Sequence, residues 1–175
     1  MAAPVGRGSI RLRLDYARDV ATLALAYQTG YFNDPADPSR IELRKSDDDG
    51  ASFGAPVIVA ARRDLGDGDY TQVRGPVELA VSRDGQTIAA LHAEVFCDAV
   101  FGCEVSNTYP KDVVLSVSED GGASFERVGV IASSIVQNYD IAIAADGSAV
   151  LMVVDDFDID ASVFVRAERT LPGPR

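Results

Sequence analysis

Two cysteines, Cys97 and Cys103, stand in FCDAVFGC with five residues between them. That spacing closes a small loop without gross strain, so the pair reads as a disulfide of an oxidising compartment. A zinc site needs more ligands than two thiolates, and the single histidine is His92. No Cys-x-x-Cys turn is present, which removes the usual redox pair. His92 lies in an apolar run and reads as a core or rim residue rather than a general base. Asp155, Asp156, Asp158 and Asp160 stand in DDFDIDAS. Alternate carboxylates of this kind can offer oxygens to a hard cation such as calcium. The run lacks the twelve-residue spacing, central Gly and terminal Glu of an EF-hand loop, and a solvated acidic loop explains it more simply.

The elements that must carry these residues are strands. The chain has 175 residues, 47% apolar and 25% charged, enough for one compact domain with a sizeable core. A formal net charge of −11 repels phosphate backbones and anionic lipid, so roles on nucleic acid or membrane surfaces are disfavoured. No uninterrupted apolar run approaches the ~18 residues of a membrane span. Met1 to Gly8 lacks the apolar stretch of a signal peptide. A secreted or periplasmic location therefore rests on the cysteine pair.

Period-two alternation predicts strands at Ser9–Asp15, Val20–Tyr27, Arg40–Ser46 and Pro56–Ala60, separated by Gly, Asp, Asn and Pro. The order returns at Pro76–Ser82, Thr87–Glu94, Val113–Ser118 and Arg127–Ala132. A third round gives Tyr139–Ala145, Ala149–Asp155 and Ser162–Glu168, then stops short of a fourth strand. The units span roughly 9–61, 75–132 and 137–170, a spacing of about 60–70 residues that points to repeated four-stranded meanders. An immunoglobulin-type sandwich shares the short strands but gives no reason for a turn motif to repeat. The loops Thr29–Ser39 and Val95–Asp112 carry Tyr31, Phe32, Phe96, Phe101 and Tyr109 beside Asn33, Asp34 and Asn107. Such rings suit sugar stacking or a protein contact, and they equally suit the covering of sheet ends.

The turn motif is S-D-D-D-G-A-S-F at 46–53 and S-E-D-G-G-A-S-F at 118–125. Ser46, Asp48, Gly50, Ser52 and Phe53 match Ser118, Asp120, Gly122, Ser124 and Phe125. Each segment falls between the third and fourth strands of its unit. A short Asp side chain can accept backbone N–H bonds in a tight turn, Gly supplies a positive φ, and Ser hydroxyls close further local bonds. The aromatic ring can pin the hairpin from beneath.

With these residues the chain resembles the Asp-box (BNR-repeat) propellers of the sialidase-like class, over residues 9–169. The resemblance implies an all-β fold of about three propeller blades, the last incomplete, in a single partial domain over 1–175. It places the motif on the outer rim, in a structural role. It also implies that residues entering the innermost strands line the mouth of a central channel. Here those are Gln72 and Arg74, then Gln137, Asn138 and Tyr139. Arg74 would contact an anion or a sugar, and Tyr139 would stack or act as a nucleophile. The alternative is an exposed polar edge with a tyrosine over the sheet end. Sialidases clamp a carboxylate with three arginines and use a Tyr–Glu pair with an acid/base Asp. Their Arg-Ile-Pro-type motif does not occur, and Arg74-Gly75-Pro76 does not match it, so the resemblance implies no complete catalytic set in this chain. The expected function is binding of carbohydrate or protein by a non-catalytic module. The alternative is a share in a glycoside-hydrolase site completed by further blades or a second subunit. No cofactor is expected beyond the possibility of calcium. Since roughly four blades or more are needed to close a propeller, either a homodimer or a longer chain is expected to supply the rest.

Overall fold

The computed structural model describes residues 12–17, 19–31, 36–98, 103, 111–134, 136–156 and 161–168. The expectations that fell on Phe32, Asn33, Asp34, Phe101, Asn107, Tyr109, Asp158 and Asp160 lie outside these residues. Every regular element among them is a strand. The first sheet runs β1 (Leu12–Ala17), β2 (Thr22–Thr29), β3 (Arg40–Ser46) and β4 (Val57–Ala60). The second runs β5 (Arg63–Gly66), β6 (Asp69–Val81), β7 (Ile88–Cys97), β8 (Lys111–Ser118) and β9 (Glu126–Ser134). The third runs β10 (Val136–Ile143), β11 (Ala149–Asp156) and β12 (Ala161–Glu168). All pairs are antiparallel and join sequence neighbours, so each sheet is a simple meander.

The second sheet starts earlier than the strand expected at Pro76. β5 and the first part of β6 form a hairpin across Asp67 and Gly68, whose φ values of +52° and +88° are those of a type I′ turn. The register then slips between Val73 and Val77, so Arg74-Gly75-Pro76 forms an irregularity in the middle of β6.

The three sheets stack in chain order, and the pattern of apolar residues says why. In β7 the even positions Ile88 and Ala90 join Val73, Val77 and Val81 against Ala24, Ala26, Ile41 and Leu43 of the first sheet. The odd positions Ala89, Leu91 and Ala93 join Val113 and Leu115 against Ile141, Val150, Met152 and Val154 of the third. β7 is therefore apolar almost without interruption, as a strand covered on both faces must be. Leu91 and Leu115 are each essentially fully buried, a gain of about 1.5–3 kcal/mol per side chain.

The sheets repeat one another in register. Ser46 pairs with Leu23 as Ser118 pairs with Ile88, which aligns both motifs on their sheets. In each motif the first Ser hydroxyl donates to the Asp carboxylate and accepts an amide four residues on. The last Ser donates both its amide and its hydroxyl to the same carboxylate, at 2.8 and 2.6 Å for Asp48 and at 3.0 and 2.6 Å for Asp120. Each motif also leans on the first turn of its own sheet, Asp49 N–H on the Ala21 carbonyl and Gly121 N–H on that of Gln86. The first turns are in turn linked between sheets. Asp19 N–H donates to the Arg83 carbonyl at 3.0 Å, and Arg83 N–H donates to the Ala145 carbonyl at 2.9 Å. Gly147 is bound to this contact, because a Cβ there would lie 2.4 Å from Thr87 Oγ1.

Candidate functional site: a cleft beside the first strand of each sheet

β1, β6 and β10 are the first long strands of their sheets, and β6 touches both of the others. Each strand carries a charged side chain at an equivalent place in its sheet. Arg13 pairs with Ala26, Glu78 with Leu91 and Asp140 with Val153, which are matching register positions in the three sheets. All three side chains meet in a cleft of about 350 Å³, lined also by Asn138, Tyr139, Val153 and Asp155.

Arg13 Nη2 lies 2.6 Å from Glu78 Oε1, and Glu78 is nearly buried while Arg13 is half exposed. The Glu78 hydrogen bond, with its charge and that of Asp140, raises the guanidinium further above its ordinary value. Asp155 accepts the Ser162 hydroxyl at 2.7 Å and the Asn138 amide at 3.4 Å. Asp140 accepts the Ile141 amide at 2.8 Å. Among the described residues the lining thus offers one guanidinium against the three carboxylates of Glu78, Asp140 and Asp155, with an amide beside them. Hydroxyl groups satisfy such a set in both directions, donating to the carboxylates and accepting from Asn138 or Arg13. A further carboxylate or a sulfate would meet like charge.

The residues expected at a channel mouth divide. Asn138 and Tyr139 line the cleft. Tyr139 is largely committed to packing, its ring in the core between the second and third sheets and its hydroxyl donating to the Pro76 carbonyl. Gln72 is buried beside the cysteines, with its amide oxygen 3.5 Å from Cys103 Sγ, and Arg74 is half-buried in the β6 irregularity. The Gln137 side chain lies outside the described residues. Of the acidic run, Asp155 is in the cleft, while the Asp156 side chain, Asp158 and Asp160 lie outside the described residues. Cys97 and Cys103 form a disulfide, the state that an oxidising compartment favours.

Sequence reading missed Arg13, Glu78 and Asp140, which look like the ordinary polar positions of alternating strands. A second cluster was also missed. Glu94 on β7 is buried, with His92 Nε2 at 3.4 Å, Arg127 of β9 at 3.3 Å and Arg63 of β5 at 3.8 Å. Burial pushes its carboxyl up, and the hydrogen bonds and charges of His92 and Arg127 outweigh that, holding it at about 2. His92 is fully buried and its Nδ1 has no hydrogen-bond partner among the described residues.

No family model matches the sequence, and no curated protein is similar to it. Among solved structures, the chain is similar to a polysaccharide lyase of family PL25, an ulvan lyase, with a TM-score of 0.56 at 13% identity. The match covers 91% of this chain and 41% of the lyase. The same lyase bound to -[GlcA(1-4)Rha3S]- gives a TM-score of 0.57 with the same coverage. An endo-arabinase from Bacteroides thetaiotaomicron overlaps at a TM-score of 0.49 and 10% identity, over 93% of this chain and 56% of its own. The all-β, meandering arrangement of this chain is thus one shared with a larger enzyme, of which it spans less than half the length.

Proposed function

We propose that the chain is a set of three propeller blades whose central cleft binds neutral carbohydrate without cleaving it. The observation that carries this reading is the convergence of Arg13, Glu78 and Asp140, from matching positions of three repeated sheets, on one cleft. Repeated meanders joined in chain order by their first turns are what radial blades require. The fold likeness to a polysaccharide lyase supports the carbohydrate class, though at 13% identity it supports no particular substrate. The charge of the lining selects within that class. Glucuronate and sulfated rhamnose, the sugars bound to the lyase, are anionic, whereas this cleft already holds more carboxylates than cations. A sialidase reading meets the same obstacle, because Arg13, the arginine among the described lining residues, is engaged by Glu78.

The test is a titration of neutral and uronate-containing oligosaccharides, followed by calorimetry and by chromatography of the sugar afterwards. Neutral oligosaccharides bind, uronates bind at least about tenfold more weakly, and the sugar is recovered intact. Asn138→Ala and Asp140→Asn each weaken binding by about tenfold, as expected for the loss of a hydrogen bond to a charged or amide group. Preference for uronates, or shortened sugar after incubation, overturns the proposal.

A further inference from the structure

The stack of sheets has two open ends, and they are complementary. The chain of turn contacts runs from each amide to the carbonyl of the next sheet, Asp19 to Arg83 to Ala145. Among the described residues this leaves the Ala145 amide without a backbone acceptor at one end, and the Asp19 carbonyl without a donor at the other. The apolar faces follow suit. On the first sheet Leu14 and Ile58 are each 57% exposed, and on the third Leu151 is 50% and Phe164 74% exposed. Soluble proteins rarely leave such faces bare without a partner.

The two sequence motifs give an internal control. Phe125 packs on the core between the first and second sheets, and the backbone at Gly122 approaches Leu43 of the first sheet. Phe53 holds the matching place one sheet earlier, where the described residues supply no preceding sheet, and it is 36% exposed. The first sheet therefore carries the fittings for a predecessor.

Charge says which predecessor fits. Along the cleft the matching positions read Arg13, Glu78, Asp140, so the series ends on a carboxylate and begins on a guanidinium. A second copy of this chain placed after the third sheet brings its Arg13 next to Asp140, the same opposite-charge step already made between Arg13 and Glu78 at 2.6 Å.

We infer that two copies join head to tail, the outer face of the third sheet on the outer face of the first, closing a ring of six sheets around a shared cleft. In each joint the Ala145 amide meets the partner's Asp19 carbonyl, Leu151 and Phe164 cover the partner's Leu14 and Ile58, and Asp140 gains the partner's Arg13. Two heterologous joints related by a two-fold axis leave no open end, so assembly stops at the dimer. The inference rests on reading the sheets as propeller blades.

Light scattering on the gel-filtered chain tests it. The expected mass is about 37 kDa, twice the 18.6 kDa of one chain. Phe164→Asp and Ile58→Asp each spoil one end and each give a monomer with an unchanged far-ultraviolet circular dichroism spectrum. Leu151→Asp and Leu14→Asp serve in their place if either fails to fold. Mixing the two spoiled proteins restores a dimer, because one joint of the mixed pair has both faces intact. A wild-type monomer, a polydisperse mass, dissociation by only one of the two substitutions, or a mixture that stays monomeric overturns the inference. The oligosaccharide titration is independent of these outcomes. A dimer that binds no sugar refutes the binding proposal alone, and a monomer that binds sugar refutes the dimer alone.

Discussion

Asp48 and Asp120 do the work of a small backbone scaffold. Each carboxylate takes a Ser amide and two Ser hydroxyls, and these bonds favour the ionised form. The Ser52 and Ser46 bonds lower the Asp48 carboxyl from 3.8 to about 2, and the bonds from Ser124 and Ser118 lower that of Asp120 further. Because the folded values lie below the unfolded ones, the associated stability is fully present above about pH 4. It is lost as pH falls through the folded values, toward pH 2 and below. Melting temperature recorded from pH 6 to pH 2 therefore falls on acidification in the wild type. In the Asp48→Asn, Asp120→Asn double variant the fall over the lower part of that range is shallower and the plateau is lower. An unchanged acid limb contradicts the role given to these carboxylates. Both turns were legible in the sequence because a turn keeps its chemistry within eight residues. Position 49 shows how tightly the backbone is shared. Asp49 has φ +56° where its counterpart Gly121 has +68°, so an Asp tolerates the left-handed conformation that a Gly adopts freely.

Strand identity was legible from period-two alternation, and β3 illustrates it, since its apolar residues Ile41 and Leu43 fall on one face. β5 was not read, although Asp67-Gly68 is the strongest short hairpin signal, because its own residues are all exposed and supply no alternation. The cleft was illegible for a different reason. Arg13, Glu78 and Asp140 become a set only when strand registers are known, and their sequence spacing is irregular because the loops between them differ in length. Glu94 was hidden in the same way, since its cationic partners come from strands on both sides. Through Arg63 of β5 and Arg127 of β9 this one carboxylate ties the two edge strands of the second sheet to its centre. Removing one partner of a buried ionic cluster leaves the others uncompensated. Glu94→Ala is expected to lower the unfolding free energy by about 2 kcal/mol in urea, with Glu94→Gln losing less because it can still bond to Arg127. A loss under ~0.5 kcal/mol for Glu94→Ala would show that the cluster is incidental.

At the scale of the molecule, the three sheets form a row in which, among the described residues, only the middle one has neighbours on both sides. The apolar faces of the outer two are the physical reason to expect a partner, and a net charge of −11 favours dispersal of any copies that remain unpaired. The same arrangement sets an order of opening. β7 lies in the middle of the middle sheet, buried along nearly all its length and bonded on both edges. Its amides can meet solvent only when both cores part, which is close to complete unfolding. β4 and β12 lie at sheet edges, so small local fluctuations free them. In deuterated buffer the amides of Ala89 to Ala93 should therefore be the last to exchange, with protection matching the global unfolding free energy, while those of Val57 to Ala60 exchange orders of magnitude sooner. The middle sheet is the clock of the whole chain: how long it stays shut is how long the chain as a whole survives.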